Sequence, residues 1–192
     1  VTVATTPVST TTVALQTPGQ SAPGAASETG AAPAEPAEPQ TQPSAGALLT
    51  YTDSTYQFSV NYFSDFVLQT PAAEQLAQFD PTPVASFRFM NPVTAASDLG
   101  ELEPADLEIL AFDKAQATAL DSWLAANGLV AADGGVPPQP FQTAYVSGVE
   151  IFPTMLITPG CFYFVMGNQW VYRLMAATIE GESMIETFQL DQ

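Results

Sequence analysis

The sequence predicts an α+β domain, mostly antiparallel sheet flanked by helices, behind a disordered or extended N-terminal stalk. Three observations predict it. The composition breaks near residue 47, from a Pro/Ala/Ser/Thr-rich segment to one rich in aromatic and β-branched residues. Beyond the break, apolar or alternating runs of strand length outnumber the three segments with a helical pattern. One pair of apolar runs is joined by Gly167-Asn168, the signature of a β-hairpin.

Residues 1–46 carry no Lys, Arg or aromatic residue, only three acids (Glu28, Glu35, Glu38), and seven of the 17 prolines. Such a segment cannot bury enough apolar surface to offset the entropy of ordering it. It reads as a stalk, with residues 47–192 as the folded domain, long enough for a real core. Stalks of this composition commonly link a surface-anchored lipoprotein to its domain. The chain starts at Val1, read as a mature or truncated form, and a lipid-bearing cysteine is expected upstream of Val1, giving a membrane tether.

Charge excludes several partners. The formal net charge is −17, with only Arg88, Lys114 and Arg173 as basic residues. No basic footprint for nucleic acid can be assembled from three scattered cations, so no nucleic-acid partner is expected. Binding to anionic headgroups fails for the same reason. The longest apolar run, Cys161 to Met166, is six residues, too short to span a bilayer.

Taken in order, Tyr56 to Tyr62 alternates apolar and polar residues at period two, a half-buried strand after a turn at Asp53-Ser54. Pro71 to Gln78 reads as a short helix with proline in its first turn. Val84 to Met90 and Asp106 to Phe112 are strands. Thr118 to Asn127 is the best helical pattern: Leu120, Trp123 and Leu124 share a face, Thr118 with Asp121 resembles a capping box, and Gly128 suits the C-terminal cap. A Gly/Pro-rich loop covers about 132–140. Tyr145 to Ile157 holds one or two strands, Gly181 to Thr187 a helix, and Phe188 to Leu190 a terminal strand.

A two-residue Gly167-Asn168 turn pairs Val165 with Trp170, Tyr163 with Tyr172 and Cys161 with Leu174 on one face, which is internal. It pairs Met166 with Gln169, Phe164 with Val171 and Phe162 with Arg173 on the other. That second face is either covered by a helix or docks a partner, so Phe162, Phe164, Val171 and Arg173 are candidate partner-docking residues.

The side chains needed for most catalysis are missing. There is no histidine, which removes the usual general base, metal ligand and Ser-His or Cys-His nucleophile. Cys161 is the only cysteine, so no internal disulfide or CxxC exists, and it reads as a small buried hydrophobe. Lys114, at a strand end, reads as a solvated lysine. The densest acidic cluster, Asp98, Glu101, Glu103, Asp106 and Glu108, lacks the order of a calcium loop and reads as a solvated acidic loop, with weak calcium binding or acid/base chemistry as the alternatives. No catalytic, cofactor or metal residue is assigned.

The order of elements resembles the PsbP-like family, the extrinsic photosystem II protein and its bacterial relatives, over about residues 48–190. Tyr51, Phe58-Ser59-Val60, Tyr62 and Phe66 resemble its opening strand, Leu120 to Gly128 its helix after a central strand, and Val171 to Leu174 with Gly181 to Phe188 its terminal hairpin and ending. Phe63 stands where that family has proline, and Phe66 where it has tryptophan. The resemblance implies an antiparallel sheet flanked by helices. It also implies a non-enzymatic, extracytoplasmic accessory subunit docking onto protein subunits of a larger photosynthetic or respiratory electron-transfer complex in a membrane. The alternative is a free-standing surface lipoprotein whose domain binds a small ligand or a cell-envelope component.

Overall fold

The computed structural model describes residues 46–97, 103–130, 137–152 and 161–191, all within one compact unit. In chain order the elements are β1 (Leu48–Asp53), β2 (Phe58–Phe63), β3 (Val67–Gln69), α1 (Ala73–Leu76), β4 (Ala85–Met90), α2 (Pro92–Ala95), β5 (Leu107–Asp113), α3 (Leu120–Ala126), β6 (Gln139–Gln142), β7 (Ser147–Ile151), β8 (Phe162–Met166), β9 (Trp170–Ala176), α4 (Ile179–Ile185) and β10 (Gln189–Leu190). All strand pairs are antiparallel. Seven strands form one sheet in the order β3-β4-β5-β9-β8-β7-β6, and β1-β2-β10 form a second. The class is therefore α+β and mostly antiparallel, as expected. The helices are fewer and shorter than a helix-flanked sheet implies: one face of the large sheet is covered chiefly by the small sheet.

That cover explains the sequence of the central strands. Phe58 and Val60 of β2, Met184 and Ile185 of α4, and Phe188 pack on Phe87, Phe89, Leu107, Ile109, Tyr172 and Leu174 of the large sheet. On its opposite face, Trp123 and Leu124 of α3 pack on Leu110, Phe112, Phe164 and Val171. β5 and β9 are thus apolar on both faces apart from Glu108 and Arg173, which pair with each other, and this is why LEILAF does not alternate. β2 has only its Phe58 and Val60 side fully buried, and there the alternation shows.

The β8–β9 hairpin turns one residue later than expected. Met166 pairs with Val171, Phe164 with Arg173 and Phe162 with Met175, and the Gly167 N–H donates to the Trp170 carbonyl at 2.8 Å. Gly167 thus faces Trp170 across Asn168-Gln169, so every pairing slips by two from one centred on Gly167-Asn168. An even slip leaves each side chain on the face it had. Gly148 explains how closely β7 lies on β8: a Cβ there would sit 1.9 Å from the Phe164 carbonyl oxygen.

The caps also differ in part. α3 starts at Leu120 behind Ala119, with no side-chain cap, so the Thr118–Asp121 capping box is absent because Thr118 lies one residue upstream of the N-cap. Its C-terminus is as read. Gly128 adopts φ +67°, Gly128 N–H bonds the Ala125 carbonyl and Leu129 N–H bonds the Leu124 carbonyl, a Schellman ending. α4 begins at Ile179, two residues earlier than expected, because Thr178 caps it by accepting the Gly181 N–H at 3.2 Å. β6 begins inside the loop expected over 132–140, of which residues 131–136 lie outside the described residues. So do 153–160 of the strand region ending at Ile157, and so does the stalk through residue 45. Among the described residues no helix is long and apolar enough to cross a membrane.

Candidate functional site

The hairpin face singled out for docking is largely interior. Phe164 (1% exposed) and Val171 (0%) lie beneath α3, with the Trp123 and Phe164 rings 6.4 Å apart. Phe162 is half-buried, and the Arg173 guanidinium lies over its ring at 4.6 Å and over Phe79 at 5.6 Å. Arg173 also pairs with Glu108 at 2.9 Å, the two side chains 17% and 12% exposed. Burial pulls the Arg173 guanidinium below its ordinary value, and Glu108 opposes that pull. Phe164 and Val171 therefore belong to the core, while Phe162 and Arg173 stay partly exposed. A sheet buried on both faces needs Phe164 and Val171 for its own core, which the sequence pattern alone does not separate from a sticky surface.

The acidic cluster separates into structural roles. Asp98 and Glu101 lie outside the described residues. Asp106 is 4% exposed and accepts from Asn91 N–H at 2.7 Å, from the Asn91 amide at 3.2 Å, and from the Thr178 hydroxyl at 3.0 Å. One carboxylate thus holds the N-caps of both α2 and α4. Glu108 serves Arg173, and the Glu103 carbonyl accepts from Arg88. Asp106 and Glu108 are not members of a solvated loop. Among the described residues no three His, Cys, Asp or Glu side chains gather as a metal site.

A different place on the domain has the form of a ligand site. Three turns meet around a cleft of about 440 Å³: Gln57 from the β1–β2 turn, Tyr145, Val146 and Ser147 leading from β6 into β7, and Gly167 and Asn168 from the β8–β9 turn, with Met166, Tyr172, Leu190 of β10 and Asp191 after it completing the lining. Its size falls in the range of ~300–1,000 Å³ usual for small-molecule sites. Each wall is fixed locally. Asp53 Oδ1 accepts from Thr55 and Tyr56 N–H, both at 2.9 Å, and the Gln57 carbonyl accepts from Asp191 N–H at 2.9 Å. This holds Gln57 at φ 54°, a left-handed conformation that a non-glycine residue adopts at a cost. Thr143 Oγ1 accepts from the N–H groups of Tyr145 and Val146, which leaves the Tyr145 ring 58% exposed at the tip. Behind the third turn, Lys114 Nζ donates to the carbonyls of Gly167 (3.3 Å) and Asn168 (3.2 Å). The chain's one lysine is a strut, not the solvated side chain expected.

Two of the turns are also tied to one another. The Tyr56 and Trp170 rings lie 5.2 Å apart, and Trp170 Nε1 donates to the Thr55 carbonyl. The Tyr172 hydroxyl donates to the Tyr56 carbonyl, and burial, with Asp191 and Asp53 nearby, raises its pKa well above the ordinary 10.0. Sequence reasoning singled out none of Gln57, Tyr145, Asn168 or Asp191 as site residues. Gly167-Asn168 was legible as a turn, but nothing in the pattern shows that three turns distant in sequence end at one place.

Comparison with family models, curated proteins and solved structures returns no match.

Proposed function

We propose that this is a non-catalytic, extracytoplasmic surface protein whose α+β domain binds a small ligand or a cell-envelope component in the turn-lined cleft. The observation that carries this reading is the convergence of three locally fixed turns and Asp191 on one cleft of ligand size. Binding without chemistry is supported by the titratable groups. The chain has no histidine, Lys114 is engaged by two carbonyls, and burial together with Glu150 pushes the Cys161 thiol up to about 11, which keeps it protonated and a poor nucleophile. The composition of residues 1–46 supports a stalk that holds the domain away from a membrane.

A second reading is an accessory subunit that docks onto a larger photosynthetic or respiratory electron-transfer complex, as the PsbP-like resemblance implies. It is favoured by one observation: Leu48 (58% exposed), Leu49 (45%) and Val67 (41%) leave apolar side chains in solvent where residues 1–46 enter the domain. A native gel of gently solubilised source membranes, probed for this chain, separates the two. Migration as a small free species is the expected result. Stable co-migration with a large redox complex would overturn the first reading in favour of the second.

A further inference from the structure

We propose that the cleft recognises a neutral saccharide, an inference that rests on the ligand-binding reading and names its ligand class. Its lining residues carry two primary amides (Gln57 and Asn168), three hydroxyls (Tyr145, Ser147 and Tyr172, the last already donating to the Tyr56 carbonyl) and the carboxylate of Asp191, with no Lys or Arg among them. An anionic ligand would meet Asp191 without a compensating cation, on a chain of formal net charge −17. A purely apolar ligand would strand the amides and the carboxylate without partners. Amides both donate and accept, and a carboxylate accepts twice; together they match the paired donor–acceptor hydroxyls of a sugar ring. The aromatic component is present too. Tyr145 exposes 58% of its surface from the tip of a tight turn whose Thr143 hydroxyl fixes the backbone. A flat, apolar face with a polar rim is what the C–H side of a pyranose packs against.

The strain at Gln57 fits this assignment. A glycine would adopt its φ of 54° without penalty, yet the position carries an amide side chain and lines the cleft. Strained non-glycine backbone of this kind gathers at ligand sites. Two of the three turns are tied to each other and the third is fixed by its own Thr143 hydroxyl, which limits the ordering entropy that opposes binding.

The test uses the full chain, fluorescently labelled, on a printed array of neutral, amino-substituted and uronic-acid oligosaccharides, followed by calorimetric titration with the best neutral oligosaccharide. The expected result is saturable binding of a neutral oligosaccharide, weakened about tenfold by Tyr145→Ala and at least severalfold by Gln57→Gly. Tyr145→Phe retains affinity. Both positions sit in turns, and thermal melts of the variants confirm that each folds. Neutral binding that survives Tyr145→Ala and Gln57→Gly would overturn the assignment to this cleft. Preferred binding of amino sugars or uronates that depends on Tyr145 would overturn the neutral class while leaving the ligand-binding reading intact. Absence of any bound oligosaccharide would overturn the saccharide inference; failure of a broader small-molecule thermal-shift screen of the same chain as well would overturn the ligand-binding reading.

Discussion

Asp106 ties two helix starts to one carboxylate. Its carboxylate receives Asn91 N–H, the Asn91 amide and the Thr178 hydroxyl, and its backbone carbonyl receives Ala177 N–H. Gly181 lies so close that a Cβ would fall 1.8 Å from that carbonyl. Asp106→Ala removes only the carboxylate. Hydrogen bonds to a charged acceptor contribute about 1.5–3 kcal/mol each. Two of the three are short enough to count in full, but the donors are only partly buried and can recruit water. The expected loss is therefore about 3–4 kcal/mol, at the lower end of that sum, or roughly 10 °C in Tm for a domain of this size. Asp106→Asn keeps one acceptor oxygen and turns an N–H₂ toward the donors, so it should cost about half as much. Urea unfolding followed by tryptophan fluorescence measures both, and a double-mutant cycle with Thr178→Ala isolates the link to α4. A loss under about 1 kcal/mol for Asp106→Ala would refute the reasoning, because it would mean that neither helix start depends on the shared carboxylate.

Three further outcomes follow from the same kind of accounting. Arg173→Met should cost about 3 kcal/mol by leaving Glu108 buried without its partner, and the double variant Arg173→Met/Glu108→Leu should recover most of it; urea titration checks both. Cys161, with its thiol pushed up from 9.0 to about 11, should react with iodoacetamide at pH 8 on the order of a hundredfold more slowly than an ordinary cysteine, and unfolding in urea should abolish the difference. Tyr51 and Tyr163 are raised from 10.0 to about 12, chiefly by burial, so folding favours their protonated forms. The stability they contribute is fully present below pH 10 and lost as the pH rises through about 12; melts across that window should show the decline, and a flat profile would contradict it.

What was legible in the sequence divides by whether the signal is local. Strand positions around Phe58, Phe87, Ile109, Phe164 and Tyr172 show in apolar patterning because burial acts residue by residue. The Schellman ending at Gly128 shows because only the local conformation demands glycine there. Strands β1, β3 and β6 were missed or absorbed into neighbouring loops: they are edge strands, half-exposed, and β3 has three residues. The start of α4 shifted because its N-cap depends on which hydroxyl the tertiary structure turns inward, and that of α3 because it begins behind Ala119 with no side-chain cap. For α4 it is Thr178, held by Asp106 from 72 residues away. No pattern in either segment reports that contact.

The buried hairpin face and the cleft have one cause. A seven-stranded sheet with a small sheet and α4 on one face and α3 on the other must be apolar on both sides in its central strands. The aromatic richness of the β8–β9 hairpin is then a requirement of the core, and the slip of two residues in its register changes nothing, since it moves no side chain to the other face. With both faces of the large sheet covered along its central strands, recognition is left chiefly to the ends, where the turns project. There the chain places what a core does not need: a tyrosine held out in solvent, a glutamine in a left-handed backbone conformation, an asparagine at a hairpin tip and an aspartate after the last strand. The strained glutamine and the exposed tyrosine are not what folding alone favours, and all four residues line one cleft, which is where the proposed ligand-binding reading is to be tested.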